Sequence, residues 1–168
     1  MRVRLRLGWV ADIDPEKDCE AILNCTLDTA LSISHAEMGN IQLLDGGRRD
    51  LEIRAQRGFK APFLDFFGSL NTERTACSFA LREARPITVE DITNSPIFKG
   101  TQGMEVLLEA EVRAVLSTPL IGSTGQVLGV LSVHYRQPRL YWNDETVRLS
   151  ILARTAARLI EGGMGKSS

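Results

Sequence analysis

The chain has 168 residues, enough for one domain with a substantial buried core. Its net charge is −1 with both signs mixed along the sequence, so that apart from three arginines at the N-terminus nothing suggests a basic footprint for nucleic acid. No apolar run approaches the roughly 18 residues of a membrane span, and the N-terminus lacks a secretory apolar core, so neither membrane insertion nor export is expected.

In chain order, Arg2, Arg4 and Arg6 alternate with Val3, Leu5 and Leu7, which reads as the wet face of a short strand or, over residues 1–8, an extension or introduced start, with a polybasic contact as the alternative. Asp14-Pro15-Glu16 carries the signals of a helix start: a capping residue, proline at the first helical position, then acid. Ile22, Leu23, Leu27, Ala30 and Leu31 follow at helical spacing. Met38–Asp45 alternates as a strand, with Gly39, Ile41 and Leu43 on one side and Asn40 and Gln42 on the other. Asp45-Gly46-Gly47 marks a turn, and Leu51–Phe59 alternates again.

Pro62–Phe67 is short and aromatic, Thr75–Arg85 reads as a helix, and Pro86–Ile92 as a strand. Ser95–Gly103 is expected as loop and Met104–Ala110 as a short helix. A hairpin follows over Val112–His134. The last helix starts at Asn143-Asp144-Glu145, buries Val147, Ile151, Leu152, Thr155, Ala156, Leu159 and Ile160, and stops at Gly162-Gly163. Residues 162–168 are expected to form a flexible tail. This order predicts an α+β fold with an antiparallel sheet and both terminal helices on one face.

The hairpin is the most informative segment. Both of its apolar runs are too uniform for one wet face, which predicts central strands covered on both sides. Four polar residues interrupt them. If the turn holds two or four residues, Ile121 sits opposite Gln126, Ser117 opposite Val130, Val115 opposite Ser132, and Arg113 opposite His134. One face then carries Arg113, Val115, Ser117, Val130, Ser132 and His134, and the other Ala114, Leu116, Thr118, Leu120, Leu131 and Val133. An odd-length loop would scramble this assignment, because a one-residue slip flips the side chains of one strand relative to the other.

The polar face is the candidate pocket wall: Asn40, Gln42, Arg113, Val115, Ser117, Ser132 and His134, with Phe63, Phe66, Phe67 and Phe98 as a lid and Cys77 beside it. The alternative is internal satisfaction, with Arg113 paired to Asp91 or Glu111, the serines bonded to backbone, and His134 and Cys77 as core residues. Cys19, Cys25 and Cys77 are odd in number and lack C-x-x-C spacing, which reads as reduced thiols in a cytoplasmic compartment. The two histidines are far apart, so no metal site is expected.

Several segments carry a resemblance to a known family: Met38-Gly39-Asn40-Ile41-Gln42-Leu43-Leu44-Asp45, Ala55-Gln56-Arg57-Gly58-Phe59, Val89-Glu90-Asp91-Ile92 with Ser95-Pro96-Ile97-Phe98, Val112-Arg113-Ala114-Val115 through Thr118-Pro119-Leu120, and Leu152-Ala153-Arg154-Thr155-Ala156-Ala157. They resemble GAF domains, most of all those of bacterial sensory histidine kinases and related two-component proteins. The resemblance runs from about Trp9 to Glu161 and implies a single GAF domain over 1–161. It implies a central antiparallel sheet, terminal helices on one face, and a small-molecule pocket under loops and short helices on the other. It also implies dimerisation through the terminal helices. In phytochrome GAF domains the position similar to His134 lies against the chromophore.

The sequence departs from specialised members of that family. The Cys-His pair of bilin-attaching domains is missing from Met104–Glu111, so no covalent bilin is expected, and any cofactor is unknown. The Asn-Lys…Phe-Asp-Glu pattern of cyclic-nucleotide domains is absent. Thr101–Glu111 holds none of the cysteines that a free methionine sulfoxide reductase needs. The resemblance therefore implies a non-catalytic sensory domain that binds an unidentified small molecule. It would signal to an output module, a histidine kinase, outside this chain. The alternatives are an interaction or dimerisation module with a self-filled pocket, and a reductase-like enzyme using Cys77 alone.

Overall fold

The apolar residues at helical spacing after Pro15 form α1, Pro15–Ser34, whose Leu23, Leu27 and Ala30 are wholly buried. Buried Thr26 tolerates this environment because its hydroxyl donates to the Ile22 carbonyl at 2.7 Å. The computed structural model describes residues 15–47, 50–68, 74–140 and 143–164; the expected cap Asp14 and the arginines of 1–8 lie outside them.

Next come β1, Met38–Leu44, and β2, Leu51–Arg57, then α2, Ala61–Phe67, and α3, Ala76–Glu83. The expected strand over 86–92 is shorter: β3 spans Ile87–Val89, because Asp91 caps a 3₁₀ turn over Ile92–Asn94 by accepting from the Thr93 amide. Thr101 caps α4, Gln102–Glu109, in the same way. β4, Ala114–Ile121, β5, Val127–Tyr135, and α5, Asn143–Met164, complete the chain.

The five strands pair in the order β2-β1-β5-β4-β3, antiparallel throughout. This is an α+β fold with a separate core on each sheet face. On the helix face, Leu116, Leu120, Leu131 and Val133 pack with α1 and α5. On the other, Val115 and Val130 pack with Phe59, Phe63, Phe67, Phe98 and Ile92 from the long excursion between β2 and β4. Fully burying each such aliphatic side chain contributes about 1.5–3 kcal/mol, so both faces of the hairpin are held by hydrocarbon.

The expected hairpin pairs are displaced by two residues: Ser117 faces Ser132 and Val115 faces His134. The loop is odd, Ser123-Thr124-Gly125, closed by the Gly122 amide on the Gln126 carbonyl at 2.8 Å, with Gly125 left-handed at φ 85°. Such a loop alone would put Ser132 and His134 on the face opposite Ser117. A bulge corrects it. Leu120 pairs with Gly129 and Ile121 with Val127, so Leu128 is an extra residue on β5 and the alternation is restored. The expected face assignment therefore stands while the expected partners do not.

α5 corrects two further expectations. Its buried stripe is Leu149, Ala153, Ala156, Ala157 and Ile160, whereas Val147, Ile151 and Leu159 are more than half exposed and Thr155 is exposed too. The alanines let the helix lie close to β4 and α1; the larger aliphatics face outward. The helix also continues through Gly162-Gly163 to Met164.

Candidate functional site

The face of the sheet opposite α1 and α5 presents its side chains in rows set by the register. Asn40, Ser132 and Ser117 are partners across β1, β5 and β4 and form one polar row. Met38, His134 and Val115 form the next row, and Gln42 with Val130 the row on the other side. Asn40, Gln42, Ser117, Ser132 and His134 are all buried. Burial of so many polar groups on one wall is costly unless they find partners, so their hydrogen bonds decide what the wall can do.

Two of the five are satisfied by each other: Ser117 Oγ and Ser132 Oγ lie 2.7 Å apart. Gln42 Nε2 donates to the Phe67 carbonyl at 3.3 Å and so ties β1 to the end of α2. The other two keep unpartnered atoms. Asn40 Oδ1 and His134 Nδ1 are buried with no hydrogen-bond partner. Burial pushes the His134 imidazole down to about 3, so it is neutral at physiological pH. Among the described residues lining the cavity there is no carboxylate to hold a proton on it.

Aromatic side chains cover this wall. Phe59 and Phe63 stack with ring centroids 3.6 Å apart, and His134 meets both rings edge-on at 5.0 and 5.9 Å. Phe67 follows Phe63 at 4.6 Å. α2 places Phe63 and Phe67 one helical turn apart, which is why both reach the sheet. The cavity between them and the sheet measures about 20 Å³, room for a water-sized molecule and little more.

Ten of the residues singled out in the sequence line this cavity: Asn40, Gln42, Phe63, Phe67, Cys77, Phe98, Val115, Ser117, Ser132 and His134. Two do not. Arg113 precedes β4 and turns to Asp91, donating from Nη2 to Oδ2 at 2.9 Å, and this guanidinium holds the Asp91 carboxyl below its ordinary value. Phe66 sits behind the lid, edge-on to Phe67 at 4.9 Å.

Thr75, Ala76 and Leu107 line the cavity without having been foreseen. Thr75 could have been found from its spacing to Ser78, because the two form a capping box at the start of α3. Cys77 Sγ lies 3.0 Å from Thr75 Oγ1, and burial pushes its thiol up, away from the reactive thiolate.

Among the described residues no group of three or more His, Cys, Asp or Glu could hold a metal, and no helix is long and apolar enough to cross a membrane.

β5 serves both faces at once. Ser132 and His134 face the cavity; Leu131, Val133 and Tyr135 face the helices. At its C-terminal end Tyr135 Oη meets the Ser34 carbonyl of α1 at 3.3 Å and the Glu145 carboxylate of α5. At the hairpin end the Glu161 carboxylate of α5 accepts from the Ser123 amide at 3.0 Å and from Gln126 Nε2. The strand that forms the cavity wall is thus fastened to α5 at both ends.

This architecture is shared with solved structures. A domain from Sinorhizobium meliloti 1021, assigned to a two-component sensor histidine kinase, superposes with a TM-score of 0.72 at 19% identity, covering 88% of this chain and 93% of that one. A type II free methionine-R-sulfoxide reductase from Thermoplasma acidophilum gives 0.71 at 14% identity, covering 89% and 96%. The PixJ GAF domain of Thermosynechococcus elongatus, in its blue-light absorbing form, gives 0.68 at 19% identity, covering 90% of each. At these identities the likeness is one of fold. No curated protein sequence matches the chain significantly. The family model for the GAF domain matches residues 16–161, from the first turn of α1 to the last turns of α5. The chain belongs to the GAF domain family.

Proposed function

We propose that this GAF domain is a non-catalytic sensory module. A small molecule binds in the cavity under α2, and its occupancy shifts the packing of β5 against α1 and α5. Those helices pair with a second copy and pass the change to an output module, a histidine kinase. The observation that carries the reading is the two-sided use of β5: His134 lies at the cavity, and the next residue, Tyr135, contacts both terminal helices. The exposed Val147, Ile151 and Leu159 on α5 support a helix-mediated pairing. The protonated, desolvated Cys77 thiol, without a placed base, supports a non-catalytic role.

A thermal-unfolding screen against pooled metabolites tests the reading, because a ligand that binds only the folded state raises the midpoint by mass action. At least one pool should raise it, and replacing Asn40 with Leu should abolish the rise. One observation favours a second reading, an interaction module filled by its own side chains: the cavity is only about 20 Å³. Under that reading no pool changes the midpoint.

A further inference from the structure

The polar groups of the cavity are specific about the chemistry they would accept. Asn40, Ser132 and Ser117 stand in one row across three neighbouring strands, which are spaced about 5 Å apart. His134 is two residues along β5 from Ser132, about 7 Å away on the same face. Asn40 Oδ1 can only accept a hydrogen bond, and it has no partner. The Ser117–Ser132 pair uses one hydroxyl hydrogen between its two oxygens, which leaves the other free to donate. His134 Nδ1 accepts or donates according to its tautomer, and it too is unpartnered.

Charge is missing from this wall. None of the described lining residues is acidic or basic apart from His134. The nearest arginine foreseen for the site, Arg113, is committed to Asp91. An ionic group placed here would lose its hydration with no counter-ion to replace it.

We propose that the cavity takes an uncharged ligand bearing a primary carboxamide, whose N–H groups meet Asn40 Oδ1 and His134 and whose carbonyl accepts from the Ser117–Ser132 pair. A carboxamide supplies both donors and an acceptor in one planar group. A carboxylate of the same shape supplies acceptors only and brings a charge. The neutral imidazole strengthens the argument, since it offers no cation to a carboxylate or phosphate. The inference rests on the ligand-binding reading above and narrows it to a chemical class.

The test uses the smallest matched pairs of the two classes, since the cavity as it stands admits little more than a water: formamide against formate, and acetamide against acetate. Each is titrated into isotope-labelled protein at equal concentration while amide resonances of β1, β4 and β5 are followed. The two amides should shift Asn40, Ser132 and His134 saturably, with the carboxylates at least about tenfold weaker. Asn40→Leu should abolish the amide response, and a wild-type-like thermal midpoint checks its fold. Equal binding of carboxylates, or stabilisation by anionic metabolites alone, overturns the carboxamide class and leaves the ligand-binding reading standing. If neither amide shifts these resonances, the carboxamide class is overturned; the ligand-binding reading falls with it only if the metabolite pools also leave the thermal midpoint unchanged.

Discussion

Tyr135 Oη lies 3.3 Å from the main-chain carbonyl oxygen of Ser34 and against the Glu145 carboxylate, so one hydroxyl joins α1, β5 and α5. It has a single hydrogen to share between two acceptors, and the carboxylate, as the charged one, is the stronger. Arg139 completes the arrangement by stacking over the Tyr135 ring at 4.4 Å and pairing with Glu145 at 2.6 Å. Both burial and the adjacent carboxylate push the phenol well above its ordinary value, so it stays protonated and able to donate. His134, the preceding residue, lines the cavity on the opposite face.

Tyr135→Phe should therefore separate cavity from helices while sparing the core. The ring and its stacking remain, and the lost hydrogen bond costs about 1–2 kcal/mol of unfolding free energy. Hydrogen exchange should quicken at the C-terminal turn of α1 and the first turns of α5, with β1 and β4 unchanged. Uniform quickening across the sheet would show that the hydroxyl holds the whole fold and not this junction.

The serine pair makes a sharper energetic prediction. Ser132→Ala leaves the wholly buried Ser117 Oγ without its 2.7 Å partner, at a cost of about 1–3 kcal/mol. Removing both hydroxyls leaves nothing unsatisfied, so the double variant should lose less than the sum of the singles. Denaturant unfolding of the four proteins in the cycle measures the difference; strict additivity would mean the two hydroxyls do not interact.

His134 sets a pH dependence. Burial places its folded value near 3 against an ordinary 6.5, so below pH 6.5 the unfolded chain takes up a proton that the folded chain refuses. Stability is complete above that window and falls as pH drops towards 3, by up to about 1.4 kcal/mol per pH unit. In His134→Phe this contribution disappears. The stability difference between wild type and variant should then change steadily from pH 7 to pH 4. A constant difference over that range would be inconsistent with a buried neutral imidazole.

Gly129 is where the restored register is most exposed to damage. A Cβ there would lie 2.1 Å from the Gln42 carbonyl oxygen, an atom of the neighbouring main chain that cannot move without opening β1 from β5. Gly129→Ala should cost about 3 kcal/mol or more. Gly47→Ala, with nothing within 4 Å, is the matched control and should stay within about 0.5 kcal/mol. Equal midpoints for the two variants would remove the close approach from the account.

Much of this was legible in the residues, and the exceptions have physical causes. Alternation placed Ser117, Ser132 and His134 on one face because any arrangement with Leu116, Leu131 and Val133 towards the helices requires it. The partners could not be read, because a three-residue loop and a bulge at Leu128 cancel one another and leave the hydropathy pattern unchanged. In α5, large aliphatics mark a buried stripe only when the neighbour leaves room for them. Here β4 and α1 come close enough that Ala153, Ala156 and Ala157 fill the contact, and Val147, Ile151 and Leu159 are left outside. Arg113 has the parity of the polar face but precedes the strand, so the nearby Asp91 carboxylate decides its direction. The resemblance to GAF domains agreed with the fold because it rested on segments spread from β1 to α5.

The central claim is that the cavity holds a small molecule and reports it through paired terminal helices. Native mass spectrometry of freshly purified protein tests both halves in one spectrum. The account predicts a dimer carrying a bound small molecule that is released on activation. A monomer with the bare mass of the chain in every charge state would contradict it.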